Sequence, residues 1–368
     1  MNKLVIGNLL HRPLRTMISI FAVAIEVAMI LCIVAVMIGQ VNTARMNTSG
    51  IGADMIVRPP NSSFLSGVSG APVPAKIADV LRKLPHVSVV APVITNLTTG
   101  SAVETIWGIE FESYNAMRPF VFLEGGPFLG PNDVIVDDYF AHADKGHHVG
   151  DMIPVLNNHQ FRISGVVEHG KGGRKFLPIQ TLGGLMGNPD NASLFYIKSD
   201  DIKNQDVIRQ EILATPGLSQ YQVQTMQEWL SLMTPEHLPA FTIALNVVIS
   251  IAVIIGFLVI FQSMYTAVME RTREIGILKS LGASKGYIVN VVLRETALIS
   301  ICGVISGMVL TALIKLGMSY RFPTLPFYVS ARWWAQGALI AFVGAILGAV
   351  YPAIKAARKD PIDALAYE

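Results

Sequence analysis

Glu26 stands ten residues into an apolar run that opens at Met17, and no other side chain of this 368-residue sequence asks as loudly for a chemical reason. At about 1.5 Å of helical rise per residue it lies about 15 Å deep, near the middle of a bilayer core about 30 Å thick. A charge at that depth costs at least about 2.5–3.5 kcal/mol, so such residues face a protein interior or a polar cavity. Two roles are open to it. It can line a polar cavity and contact what enters it. It can instead be a structural carboxyl, protonated or hydrogen-bonded, with Asn246 of the second apolar run as the side chain that answers it.

The second constellation is Met269-Glu-Arg-Thr-Arg-Glu-Ile-Gly-Ile-Leu-Lys-Ser-Leu-Gly-Ala-Ser284, which lies between two long apolar spans. Ile275, Leu278 and Leu281 recur at helical spacing and predict one apolar stripe, with Glu270, Arg271, Arg273, Glu274 and Lys279 on the remaining faces. Gly282 is placed to end the helix and Ser284 to cap the next one. A short charged helix over 267–283, wedged into a turn of a membrane protein, is a handle that another protein can grip. The plainer alternative is a loop helix lying on the membrane surface.

Other chemistry is thin. His142, His147, His148, His159 and His169 cluster in sequence, but nothing fixes the geometry that a metal site with three or four ligands needs, and no metal is assigned. Gly170-Lys-Gly-Gly-Arg174 has the composition of an anion cradle, a weak signal when it stands alone. Cys32 and Cys302 both fall in apolar spans, which leaves no cysteine for a metal site or an intrachain disulfide elsewhere. No Ser/His/Asp set or carboxylate pair stands out, so no catalytic residue is assigned and the chain reads as a non-enzyme.

The elements that hold these residues follow from composition. Hydrophobic residues make up 52% and charged residues 15%, where a soluble domain carries about a quarter charged, so much of the chain must face lipid. Four runs, roughly 17–39, 241–263, 296–314 and 334–354, meet the length of about 20 residues that a spanning helix needs. The first, at 23 residues, is too long for a signal peptide's apolar region of about 7–15. Lys3, Arg12, Arg15, Arg271, Arg273, Lys279, Lys285, Lys355, Arg358 and Lys359 stand on one side, ten cations against Lys315, Arg321 and Arg332 on the other. That bias puts both termini and the handle in the cytoplasm, with Trp333 and Trp334 at the outer interface.

The organisation expected is therefore an amphipathic cytoplasmic segment over 1–16, a first spanning helix over 17–39 and an extracytoplasmic domain over 40–239. A second helix follows over 240–266, then the handle over 267–283, a third helix over 284–315, an outer loop over 316–332, a fourth helix over 333–354 and a cytoplasmic tail over 355–368. Residues 54–58, 87–90, 134–136, 161–167 and 193–197 read as strands and 74–83 and 206–214 as helices. The fold class is membrane α-helical with an α/β (α+β) extracytoplasmic domain. The 59–74 stretch, rich in Pro, Ser and Gly, reads as a mobile loop. Gly303 with Gly307 and Gly344 with Gly348 form two G-x-x-x-G pairs. They mark either close helix packing or the ordinary glycine content of membrane helices.

Glu270-Arg-Thr-Arg-Glu-Ile-Gly276 followed by Leu281-Gly-Ala-Ser284 resembles the coupling-helix motif of MacB/FtsX/LolC-like ABC transporter permeases. The C-terminal run from Tyr351, with Pro352, Ala356, Ala357, Pro361, Ala364 and Leu365, is similar to the closing signature of that family. Gly52-Ala-Asp-Met-Ile-Val57 and the 150–167 region resemble its extracytoplasmic domain, of MacB periplasmic-core type. One departure matters: MacB carries an ATPase on the same chain, and this sequence holds no G-x-x-x-x-G-K-[ST] loop. In that respect it resembles the LolC-type and DevC-type permeases.

The resemblance implies an ABC ATPase on a separate subunit, with ATP and Mg bound there and no cofactor in this chain. It implies a second permease copy, as homodimer or heterodimer, and contact with lipid and with an outer partner such as a membrane-fusion protein or carrier; no nucleic acid is expected. The implied activity is export or extraction of an amphiphile: lipid, lipoprotein, peptide, drug or haem. The alternative is an FtsX-like mechanotransmitter that switches an outer partner and transports nothing. The extracytoplasmic domain, about 200 residues long, favours the MacB side.

Overall fold

The computed structural model describes residues 13–60, 62, 72–99, 103–142, 146–156, 158–234, 239–321 and 325–359. Lys3, Arg12, most of the 59–74 stretch, Pro361, Ala364 and Leu365 lie outside them. The chain divides into a helical unit (1–39, 239–321 and 325–368) and a sheet unit (40–238 with 322–324).

The first helix among the described residues is α1 (Pro13–Ser49). It runs past the apolar stretch because no glycine or proline interrupts Gln40–Ser49, and the chain leaves helical geometry at Gly50. The helix thus extends ten residues beyond the 17–39 span, because apolarity says where lipid stops, not where the hydrogen-bond ladder stops.

In the sheet unit the elements after α1 are β1 (Met55–Arg58), β2 (Val73–Pro74), α2 (Ile77–Leu81), β3 (Val87–Thr99), β4 (Val103–Ile109), α3 (Phe111–Met117), β5 (Phe122–Gly125), β6 (Asp133–Asp137), α4 (Asp138–Ala141), β7 (Met152–Leu156) and β8 (His159–Val167). There follow β9 (Lys175–Pro178), α5 (Ile179–Leu185), β10 (Asn191–Ala192), β11 (Leu194–Ser199), α6 (Gln205–Ala214), β12 (Gln222–Thr225) and α7 (Met226–Leu232). Ten strands form one mixed sheet in the order β12-β1-β11-β3-β4-β9-β6-β8-β5, with β7 on the other half of β8. The pairs β4–β9 and β6–β8 are parallel and the rest antiparallel. β1 and β6 are buried along their whole length, which requires cover on both faces. The expected α/β class is what the sheet unit has.

The core of this unit is aromatic. Trp107 stacks on Tyr196 at 6.1 Å and meets Tyr114 and Phe176 edge-on. Gly172 and Gly173 lie against its indole; a Cβ on Gly172 would come within 2.7 Å of the ring. The Lys171 ammonium donates to the Arg118 carbonyl at 2.7 Å and lies over the Phe120 ring. The 170–174 loop is thus a flat seat for Trp107 rather than an anion cradle: Gly172 and Gly173 are spent on close approach and Lys171 on a backbone carbonyl.

The helical unit contains α8 (Pro239–Glu270), α9 (Thr272–Ser280), α10 (Lys285–Arg321) and α11 (Ala331–Arg358). With α1, three of these are long and apolar enough to cross a membrane, which makes four such helices among the described residues. Small residues make the contacts. A Cβ on Gly303 would sit 2.6 Å from Val23 Cβ, one on Gly307 2.7 Å from the Ala24 carbonyl, and one on Gly348 2.8 Å from the Phe257 carbonyl. Gly344 is looser, its nearest neighbour 3.7 Å away. α11 adds Ala341, Ala345, Ala349 and Ala353, all buried and four apart, as a seam along one face. Lipid gives helices no hydrophobic reason to associate, so close backbone approach supplies the attraction.

Candidate functional site

The turn between α8 and α10 is built from three local decisions. α8 persists to Glu270, and Arg271 (φ −105°, ψ 18°) leaves helical geometry. Thr272 then donates its hydroxyl to the Met269 carbonyl at 2.7 Å while α9 begins. At the other end Gly282 takes φ +96°; its N–H bonds the Lys279 carbonyl and that of Ala283 the Leu278 carbonyl, the pairing of a Schellman stop. Ser284 Oγ accepts the Tyr287 N–H at 3.2 Å and caps α10. The charged helix is therefore nine residues long, shorter than the 267–283 expected, because residues 267–270 continue α8.

Its faces differ from the predicted stripe. Ile275 and Leu278 pack inward beside Ile288 and Val292, and Gly276 and Thr272 are buried with them. Leu281 is 80% exposed and Ile277 43%. Successive steps of three each fall 60° short of a full turn, since each residue advances about 100°. Two such steps carry Leu281 about 120° away from Ile275 and onto the face of Ile277. The same angles, drawn on a wheel, would have found Ile277 from the sequence.

The charges divide in the same way. Glu270 pairs with Arg15 of α1. Arg271 pairs with Glu295 of α10 at 3.2 Å, both side chains about nine-tenths buried. Lys279 Nζ donates to the Ala357 carbonyl at 3.1 Å and to that of Lys359, at the end of α11 where unsatisfied carbonyls collect. Arg273 and Glu274 remain exposed, at the spacing of Ile277 and Leu281. A groove of about 320 Å3 separates α8, α9 and α10, lined by Met264, Val268, Ile275, Leu278 and Val291 with the Arg271–Glu295 pair. Glu295 was not singled out from sequence, and Arg15 was read only as one of the cations of the orientation bias. A carboxylate at the very start of an apolar run was the one available signal.

Deeper in the unit, Ser19 of α1 and Ser263 of α8 share a hydrogen bond of 2.5 Å. Glu26 is 3% exposed, and neither carboxyl oxygen has a hydrogen-bond partner among the described residues. Its carboxyl lies against Gly256 of α8 and near Gly344 of α11. Asn246 is exposed and ten residues, about 15 Å along α8, from Gly256. The structure does not bring Glu26 and Asn246 together: the helix rise separates them, and a common polar role is not what they share.

The histidines are spent separately. His142 Nδ1 and His169 Nδ1 both bond Asp138, through its carbonyl at 2.6 Å and its carboxylate at 3.0 Å. His147 stacks on Phe140, and His148 stands 3.4 Å from Glu124. Among the described residues no group of three His, Cys, Asp or Glu side chains converges to hold a metal.

Comparison with known proteins matches this architecture to two family profiles. The MacB-like periplasmic core domain matches residues 16–215, and the FtsX-like permease C-terminal domain matches residues 246–361. The chain is 23% identical to the uncharacterized ABC transporter permease YknZ of Bacillus subtilis, over 100% of its own length and 98% of that protein. It is 26% identical to the macrolide export ATP-binding/permease protein MacB of a Shewanella species, over 97% of this chain and 59% of that one. The chain thus spans about three-fifths of the MacB relatives. Among solved structures, the periplasmic region of MacB from Actinobacillus actinomycetemcomitans aligns at 16% identity over 49% of this chain and 92% of that one, with a TM-score of 0.38.

Proposed function

Because the chain belongs to the MacB/FtsX-like family of ABC transporter permeases, we propose that it is a membrane subunit driven by an ATPase on a separate chain, and that α9 is where the ATPase takes hold. The observation that carries this reading is the division of the turn's side chains. One side is tied to the spanning helices: to α1 through Glu270–Arg15, to α10 through Arg271–Glu295 and to α11 through Lys279. The other side offers Arg273, Glu274, Ile277 and Leu281 outward. A push on the outward face is delivered to every spanning helix, because the inward face is pinned to each. Such a group can bias a two-state arrangement, which is what a coupling claim requires.

In this reading ATP and Mg bind the partner ATPase, and two permease copies are moved by the closure of two ATPases. The ten-to-three cation bias favours α9 and both chain ends on the cytoplasmic side of the inner membrane, with the sheet unit beyond it. The substrate is an amphiphile taken from the outer leaflet or periplasm, in the class of lipid, lipoprotein, peptide, drug or haem. Macrolide export in the name of a relative supports that class. A membrane-fusion protein or outer carrier would meet the sheet unit.

The test is reconstitution of the full chain with its cognate ATPase. Ile277→Asp and Leu281→Asp should each weaken ATPase binding about tenfold or more, the effect of an interface anchor lost, without lowering the melting temperature of the permease. ATPase binding and turnover unchanged in both variants would remove α9 as the contact. Substrate-stimulated ATP hydrolysis in liposomes, with substrate moved, marks a transporter. ATP-dependent switching of an outer partner with nothing moved marks the mechanotransmitter instead.

A further inference from the structure

The buried carboxyl of Glu26 takes no part in the coupling surface, yet its surroundings are shaped around it. It sits on α1 between Val23, Val27 and Ile30, each fully buried. A methyl group at position 256 would overlap the carboxyl, so only glycine on α8 leaves it room. On α11 a Cβ at Gly344 would stand 3.9 Å from Oε1 and 3.7 Å from Val253. Ala252 and Ile260 of α8 and Ala341 and Ala345 of α11, all buried, complete apolar walls on those helices.

We propose that Glu26 is a proton-binding site, and that its occupancy is linked to the packing of α1 into the notch formed by Gly256 and Gly344. Both carboxyl oxygens are buried without a hydrogen-bond partner among the described residues. The helices packed against Glu26 bring no cation or base to its level. On α8 the nearest titratable side chains are Tyr265 and Glu270, nine and fourteen residues beyond Gly256. On α11 they are Tyr351, Lys355 and Arg358 on one side of Gly344 and Arg332 on the other, none closer than seven residues. α10 offers Cys302 and Lys315, both exposed, and Arg294 with the already paired Glu295; α1 itself offers Arg15, paired with Glu270, and Cys32.

An ionised carboxylate in that notch would be a lone charge among methyl groups, which is the costliest state it can have. The packed arrangement therefore holds the neutral acid. The ion needs water, and water reaches it only when α1 lifts from the notch. Linkage makes this reciprocal: protonation favours the packed helices and packing favours the proton. The glycines set the coupling, since without Gly256 the acid could not enter at all. The inference concerns the chain's own helices and stands whatever grips α9.

The test is infrared difference spectroscopy on the full chain in liposomes, wild type minus Glu26→Gln, at neutral pH. A carboxylic acid C=O band above the amide band, present in wild type and absent in the variant, is the expected result. A carboxylate band in its place would overturn the proposal. Thermal melting across pH supplies the second arm. Melting of the wild-type helical unit should fall as pH rises and Glu26→Gln should lose that fall; identical pH slopes would refute the linkage. Gly256→Ala should lower the melting temperature in the wild-type background and lose most of that effect when combined with Glu26→Ala. An equal loss in both backgrounds would show that the notch does not hold the carboxyl.

Discussion

The sheet unit and the helical unit solve the same problem with opposite materials. The sheet unit buries Trp107, Tyr114, Phe120, Phe176 and Tyr196 in one cluster. The helical unit closes its contacts with Gly303, Gly307 and Gly348 and a seam of alanines. Large side chains pay in water, where each aromatic removes 150–250 Å2 of surface from solvent. They gain little between helices already bathed in hydrocarbon, where the distance between backbones decides the attraction. Polar groups follow the same division. Asp137 of the sheet unit, 2% exposed, caps α4 by accepting the Phe140 N–H at 2.7 Å. Glu26 of the helical unit accepts nothing among the described residues. A partner lets a buried carboxyl hold a helix end, whereas burial alone gives either one a dependence on pH.

The largest effect should come from Trp107→Ala, which empties the seat made by Gly172 and Gly173 and costs about 3–5 kcal/mol of sheet-unit stability by denaturant titration. Next is Glu295→Ala, which takes the carboxylate from the buried Arg271 and should cost about 3 kcal/mol in the helical unit. The double replacement of Arg271 and Glu295 by Met should recover most of that loss. If the single change cost nothing, the pair would be ornament and the pinning of α9 to α10 would fail.

Asp137→Asn tests the sheet unit's buried carboxyl. Burial first, against the opposing bond from Phe140, pushes the Asp137 carboxyl up to about 6. The folded state then binds its proton more tightly than the unfolded chain does. The contribution is complete below about pH 4 and is lost as pH rises through 6, a swing of about 2–3 kcal/mol. Asparagine keeps the cap and should flatten that part of the stability–pH curve. The smallest effect contrasts two glycines. Gly348→Ala, forced against a backbone carbonyl 2.8 Å away, should lose about 1–3 kcal/mol, whereas Gly344→Ala meets only ordinary contacts and should stay near wild type. Equal melting temperatures would mean that close approach does not hold α11.

Much of this was readable in advance, for particular reasons. The spans announce themselves because 20 apolar residues have nowhere else to go. Gly282 and Ser284 act as stop and cap because those roles need only their own backbone and hydroxyl. The strands around residues 54–58, 134–136, 161–167 and 193–197 are apolar enough to stand out, and α6 at Gln205–Ala214 follows its periodicity. The strands β2, β4, β5, β7, β9, β10 and β12 were missed. β12 is four mostly polar residues at a sheet edge, held by β1 rather than by its own propensity. The pairing of Arg271 with Glu295 links positions 24 apart, and nothing local in either stretch names the other.

Hydropathy and motif spacing were sufficient to specify four long apolar helices, an α/β domain and a charged turn, because lipid and backbone chemistry act on each segment where it stands. Which side of that turn faces outward depended on where the neighbouring helices lay. The solitude of Glu26 depended on the same thing: a side chain's partners are set by packing in three dimensions, and residues far apart in the chain supply or withhold them.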